Sequence, residues 1–239
     1  MDKDKIALIT GANKGIGFET SRQLGRLGYQ VLLGARDEER GKEAVETLKK
    51  EGFDAQLLVL DVTNQNTIDH AVKFIEEEYG HLDILINNAG VFFEKGVLPS
   101  QLKLATLRET FEVNFFGVFA MTTALLSLLK KSTGGRIVNV SSGQGSLTRS
   151  SSPDSTRLQL AYNSSKAAVN ALTIQFAKEL KDTPIKINAA APGYTVTDMN
   201  EGKGTRTVQQ ASKIIVQLAL LDETGTSGGY FEDAGEIPW

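Results

Sequence analysis

Apolar residues along the chain fall into short unbroken runs, separated by longer stretches in which they recur with helical period. The runs at 6–9, 31–33, 57–60, 82–86, 137–140 and 185–189 lack the polar alternation of a sheet with one wet face. They predict parallel strands covered on both sides. Between them, 16–28, 38–51, 65–79, 102–131, 159–181 and 207–221 predict amphipathic helices. Such alternation requires right-handed crossovers and gives an α/β fold, a doubly wound parallel sheet with helices on both faces. No repeat, linker or low-complexity tract divides the chain, so 1–239 is expected to form a single domain. The most loop-like stretch, Ser150-Ser151-Ser152-Pro153, sits inside it.

Composition narrows the function classes. With 41% hydrophobic and 23% charged residues, the 239-residue chain has the balance of a globular protein rather than a disordered one. At this size a core buries roughly 70–75% of the surface that the unfolded chain exposes. The absence of cysteine excludes disulfides, thiolate metal sites and a cysteine nucleophile, and no metal site is expected. A net charge of −3 with dispersed basic residues gives no reason to expect nucleic acid or an anionic membrane as partner. Met1-Asp2-Lys3-Asp4-Lys5 leads into four apolar residues, too few for the apolar region of a signal peptide. No run approaches the roughly 20 apolar residues of a membrane span, so a cytoplasmic location is expected.

The first strand runs into Thr10-Gly11-Ala12-Asn13-Lys14-Gly15-Ile16-Gly17 and then a helix. Glycines at such a turn let backbone N–H groups approach a pyrophosphate, and the helix N-terminus adds favourable charge. The spacing Gly-x-x-x-Gly-x-Gly departs from the general dinucleotide fingerprint, so position in the α/β pattern carries the assignment. At the end of the second strand, where an acid would bond an NAD ribose, the chain has Ala35-Arg36 and then Arg40. With Lys14, these cations favour the 2′-phosphate of NADP(H), NAD(H) being the alternative. Asp37-Glu38-Glu39 could repel that phosphate, but they suit the first turn of the next helix.

Tyr162 and Lys166 stand four apart at the start of a helix whose stripe is Val169, Leu172, Phe176 and Leu180, which stacks the pair on one face. A cation near a phenol lowers its pKa from about 10, making an acid able to protonate an alkoxide near neutral pH.

Taken together these residues resemble the short-chain dehydrogenase/reductase family over essentially the whole chain. The likeness includes Asn87-Asn88-Ala89-Gly90, Asn114 in Val113-Asn114-Phe115-Phe116-Gly117, Val138-Asn139-Val140-Ser141-Ser142 and Pro192-Gly193-Tyr194-Thr195-Val196-Thr197. The resemblance implies a Rossmann-type oxidoreductase of carbonyl or alcohol substrates. In it Ser142 would bond the substrate oxygen beside Tyr162, Lys166 would hold the nicotinamide ribose, and Asn114 would fix a water leading to Lys166. Gly11, Asn13, Lys14, Gly15, Ile16, Gly17, Arg36 and Arg40 would meet the cofactor phosphates. Asp61, Val62, Asn88, Ala89 and Gly90 would line the adenosine, and Pro192, Gly193, Thr195 and Thr197 the nicotinamide end. Duller roles compete: Asn87 and Asn139 as stitches, Gly193 as a turn former, Ser141 as a strand residue, Asp61, Thr63 or Asn64 as a helix cap. NAD-dependent oxidation of a secondary alcohol, or a silent NADPH-binding redox sensor, are the alternative activities.

The opening glycine loop, Ala35-Arg36-Asp37, Asn114-Phe115-Phe116-Gly117 and Trp239 are most similar to monomeric-type carbonyl reductases. Those enzymes carry a long insertion between serine and tyrosine, whereas Ser142 and Tyr162 are 20 positions apart here. So short a segment implies a dimer or tetramer pairing helices 102–131 and 159–181. The polar loop 146–160 is expected to border the substrate pocket, with Leu158 or Leu160 either offering apolar contact or packing inward.

Overall fold

The computed structural model describes residues 5–239; residues 1–4, used above in reading the N-terminus, lie outside them. The chain runs through β1 (Ile6–Thr10), α1 (Gly15–Arg26), β2 (Gln30–Ala35), α2 (Glu38–Lys50), β3 (Ala55–Val59), α3 (Gln65–Glu78) and β4 (Ile84–Asn87). It continues through α4 (Leu104–Phe111), α5 (Gly117–Lys131), β5 (Arg136–Val140), α6 (Leu147–Ser150), α7 (Leu160–Glu179), β6 (Lys186–Ala190), α8 (Val208–Ala219), β7 (Tyr230–Glu232) and β8 (Gly235–Glu236).

One sheet holds the strands in the order β3-β2-β1-β4-β5-β6-β7-β8. It is parallel from β3 to β7, and β8 alone pairs antiparallel. Strand side chains alternate between two apolar layers. Ile6, Leu8 and Leu32 face α3, α5 and α7, through Ile68, Leu125, Leu128 and Val169. Ala7, Ile9, Val31 and Leu33 face α1, α2 and α8, through Leu24, Val45, Leu48 and Ile215. Burying each such Leu or Ile is worth about 1.5–3 kcal/mol, which is why these strands read as unbroken apolar runs. Helix starts are set locally. Asp37 caps α2 by accepting from Arg40 N, Asn64 caps α3 by accepting from Asn66 N, and Thr207 with Gln210 forms a capping box on α8.

All six expected strands are present, and the parallel sheet predicted from them is extended by β7 and the antiparallel β8. Three and two residues are too short for a period to register. The helix expected over 102–131 starts at Leu104 and is broken by a π turn over Glu112–Phe116. Over Leu104–Lys131 its length and mean hydropathy of 1.5 meet those of a membrane-crossing helix, a match the run-length criterion missed. In the fold its Met121, Leu125, Leu128 and Leu129 are buried in the layer beneath the sheet.

The chain leaves β1 toward β2 and β3 on one side, then crosses back to β4 on the other. Neighbouring connections therefore diverge at the carboxyl ends of β1 and β4, where open α/β sheets form their binding crevice.

Candidate active site

A cleft of about 980 Å³ opens at those carboxyl ends, and Gly11, Asn13, Lys14, Gly15, Ile16 and Gly17 form its floor. Gly11 has φ of 62°, and a Cβ there would lie 2.9 Å from Ala89 Cα. A Cβ on Gly17 would lie 2.4 Å from Asn88 Nδ2. Both positions exclude a side chain, so the loop's backbone stays bare toward the cleft and α1 points its N-terminus into it. Asn88 helps to hold this shape: its amide donates to the carbonyls of Thr10 (2.9 Å) and Gly11 (3.1 Å). Its side chain is thus spent on backbone, although it borders the cleft with Ala89 and Gly90. The buried Thr10 hydroxyl in turn accepts from Asn88 N and Ala89 N.

The three cations expected at a phosphate diverge. Arg36 lines the cleft and has no ionic or hydrogen-bonding partner among the described residues. Lys14 also lines it, but its ammonium bonds Asp198 at 2.7 Å and holds that carboxyl below its usual range. Arg40 stays outside the lining and turns to Asp37, 3.4 Å away. An i, i+3 acid on its own helix is the nearer partner, which the spacing from the glycine loop could not show. Asp61 and Val62 line the cleft. Asp61 accepts from the backbone and hydroxyl of Thr63, while Asn64 caps the helix. Bare loop amides, an α1 N-terminus and an unpaired guanidinium form a donor set suited to a dinucleotide's phosphates.

At the other end stand Ser142, Tyr162 and Lys166. Ser142 lies just beyond β5 as the N-cap of a 3-10 turn over Gly143–Gly145, where its hydroxyl accepts from Gln144 N. Its hydroxyl lies close enough to the Tyr162 phenol to draw that group's pKa down. Lys166, 4% exposed, donates to the Val140 carbonyl at 2.7 Å. Its ammonium lies 5.8 Å from the Tyr162 ring centre. Asn114 sits within the π turn, accepting from Val91 N (2.8 Å) and donating to Val91 O and Ser165 Oγ (3.0 Å each). A Cβ on Gly90 would lie 3.4 Å from Asn114 Oδ1 and 3.6 Å from Lys166 Nζ, so both side chains converge on one bare backbone position. Asn87 and Asn139 act as stitches: Asn87 donates to Asn139 and Thr122, and Asn139 donates to Thr173.

The loop after β4 adds two side chains whose partners only the fold reveals. Glu94 is 2% exposed and accepts from Ala161 N (2.9 Å) and Tyr162 N (2.5 Å). It caps α7 from 67 positions away, in place of Gln159, whose side chain makes no cap. Phe92 packs edge-on against Tyr162 at 5.4 Å. The loop 146–160 borders the cleft as expected, through Arg149, Asp154, Ser155, Thr156, Arg157 and Gln159. Leu158 and Leu160 do not: they are 53% and 43% exposed, and neither packs inward. Gly193 turns the chain with φ of 81°, and with Pro192, Thr195 and Thr197 it walls the cleft.

Charge here departs from the simple expectation. Burial pushes the Tyr162 phenol up, and the Ser142 hydroxyl draws it partly back. Burial also lowers Lys166 from 10.5 to about 8, so the lysine's proton is itself loosely held. While charged, the buried lysine costs the fold free energy, a cost complete below pH 8 and gone above 10.5. Relative to Lys166→Met, the native chain should therefore gain about 2–3 kcal/mol of stability between about pH 7 and pH 10. Urea unfolding of both proteins at the two pH values measures this, and parallel curves would contradict it.

Residues 5–207 match the model of the family described as short chain dehydrogenase. Short-chain dehydrogenase anuI of Penicillium roqueforti (strain FM164) is 38% identical over 224 residues, 90% of this chain and 88% of that one. Carbonyl reductase (NADPH) 3 of Rattus norvegicus is 35% identical over 281 residues, covering 98% of each chain. That alignment is longer than this chain of 239, so the relative carries stretches absent here. The crystal structure of NADPH-bound carbonyl reductase from chicken fatty liver superposes with a TM-score of 0.87 at 26% identity, over 100% of both chains. The chain therefore belongs to the short-chain dehydrogenase/reductase family and is an NAD(P)-dependent oxidoreductase acting on carbonyl or alcohol groups.

Proposed function

We propose that this chain, as one domain over 1–239, reduces ketones or aldehydes to alcohols with NADP(H) in the cytoplasm. The observation that carries the reading is the convergence of Ser142, Tyr162 and Lys166 in the same cleft as the unpaired Arg36. The nicotinamide, when bound, supplies the hydride. Ser142 orients the substrate carbonyl by bonding its oxygen, and Tyr162 gives its phenolic proton to that oxygen as charge develops. A phenol held protonated by burial is an acid in its working form. Lys166 would hold the ribose, and Asn114, already anchored on Val91, would order the water that returns protons to the site. Gly11, Asn13, Gly15, Ile16, Gly17 and Lys14 would receive the pyrophosphate, and Arg36 the 2′-phosphate. Arg40 and the Asn88 side chain are left out of that assignment, since both are engaged elsewhere. NADP(H) named with relatives of this chain agrees with Arg36 standing where an acid would hold an NAD ribose.

The substrate is a small molecule entering between Phe92, Gln144, Arg157 and Tyr194. The exposed Leu104, Phe116 and Phe119 on the helix running from α4 to α5, with Leu160 on α7, favour assembly as a dimer or tetramer.

Three measurements test this. Tyr162→Phe should bind NADPH and fold normally while turnover on a panel of ketones and aldehydes falls at least about 100-fold. Retention of a tenth of native turnover would remove Tyr162 from the role. Arg36→Asp should weaken NADPH about 10- to 100-fold and NADH little. Equal losses would show that Arg36 does not read the phosphate. Light scattering should return a multiple of the 25.9 kDa chain mass, and a clean monomer refutes the assembly.

A further inference from the structure

The stretch from β7 onward lies beyond the residues matched by the family model, yet it makes four separate ties to the segment that carries Ser142. The Tyr230 hydroxyl donates to the Ser142 carbonyl. Glu232 takes both guanidinium nitrogens of Arg149 at 2.8 Å. The Pro238 carbonyl accepts from Ser146 Oγ at 2.7 Å, and the Trp239 oxygen accepts from both the backbone (3.0 Å) and the hydroxyl (2.7 Å) of Thr148. Trp239 also stacks on Tyr230 with centroids 5.2 Å apart and planes 18° from parallel.

These ties bear on the orientation of one hydroxyl. The Ser142 carbonyl is fixed by two donors, Tyr230 OH and Gly145 N. Its side-chain oxygen accepts from Gln144 N, which leaves the hydroxyl proton free to point to the phenol or a substrate oxygen. The turn holding it is pressed against α7: a Cβ on Gly145 would stand 2.9 Å from the Lys166 carbonyl carbon. Ser141 and Asn170 complete the anchor: Ser141 Oγ donates to Asn170 at 2.6 Å, and Asn170 donates to the Gly145 carbonyl at 3.2 Å. Tyr230 is fully buried and absent from the cleft lining, so any influence on the reaction passes through Ser142. Burial pushes its phenol up to about 12, so it remains a donor across the working pH range.

We propose that Tyr230 is a positioning residue for the Ser142 hydroxyl, held in place by the brace of residues 230–239. This rests on the reading of Ser142 given above. Tyr230→Phe removes one hydroxyl and keeps the ring for the Trp239 stack. Misplacing a reacting group by an ångström costs on the order of 100-fold, so kcat should fall about 10- to 100-fold. The KM for NADPH should stay within about twofold, since the phosphate loop is untouched.

The test is a double-mutant cycle on the whole chain, with 4-nitrobenzaldehyde or the panel's fastest carbonyl as probe and NADPH consumption followed under single-turnover conditions. In a Ser142→Ala background, Tyr230→Phe should cost less than about twofold, because the group it positions is gone. Trp239 is the sole tryptophan, so its fluorescence reports whether the brace is still docked. Emission should match the native protein in Tyr230→Phe. An equal loss in both backgrounds, no loss in the native background, or a loss accompanied by red-shifted emission would each overturn the proposal. Loss in Ser142→Ala without loss in Tyr230→Phe refutes the brace alone. No turnover by the native chain across the panel refutes the underlying site reading, and this inference with it.

Discussion

An ammonium group removed from water needs a partner, and Lys166 finds one in the Val140 carbonyl at the end of β5. This contact fixes α7 against the sheet at the point where the chain turns outward after β5. Once it is made, Tyr162 is committed one helical turn earlier, on the same face. Gly145 must do without a side chain to let the serine turn pass the Lys166 backbone. Lys166 and Asn114 also converge beside Gly90, at van der Waals distance from where a Cβ would stand. Each of these positions is ordinary by itself; the buried lysine makes them interdependent.

The site is also held from outside α7. Glu94 takes the first free N–H groups of that helix with both carboxylate oxygens, joining a charge to the positive end of the helix dipole. It belongs to the same loop as Val91, which bonds Asn114, and Lys95, which bonds Glu201 at 2.6 Å. A single short segment after β4 thus touches Tyr162, the π turn and the turn at Glu201. An exposed bridge such as Lys95–Glu201 contributes little to stability, so the segment's rigidity comes from its buried contacts.

The parts legible in the sequence are those whose cause is local. Unbroken apolar runs require burial on both faces, and the six long strands follow. A glycine loop between strand and helix, and a Tyr–Lys spacing of one turn, are readable because neighbours in sequence remain neighbours in space. What escaped reading depends on distant partners. Lys14 meets Asp198 across 184 positions, and Tyr230 meets Ser142 across 88. Glu94 looks like any acid in a polar loop until the fold brings α7 onto it. Arg40 looked like a phosphate ligand because only its distance from the glycine loop was visible, and not the closer claim of Asp37. Leu158 and Leu160 misled in the opposite sense, as apolar side chains that the fold leaves in solvent.

The π turn over Glu112–Phe116 carries a consequence for how the gene can change. An α-helix advances about 100° per residue, and a π turn accommodates one residue beyond the α-helical count. Deleting a single codon within 112–116 would let an unbroken α-helix form, which local propensity favours. Because the wider turn is what absorbs the extra residue, the helix downstream would keep nearly the same rotation relative to α4. Met121, Leu125 and Leu128 would stay against the sheet, while the Asn114 amide would lose both groups of Val91. A lineage that shortened this segment by one residue would therefore keep its core layer and give up the turn that carries Asn114.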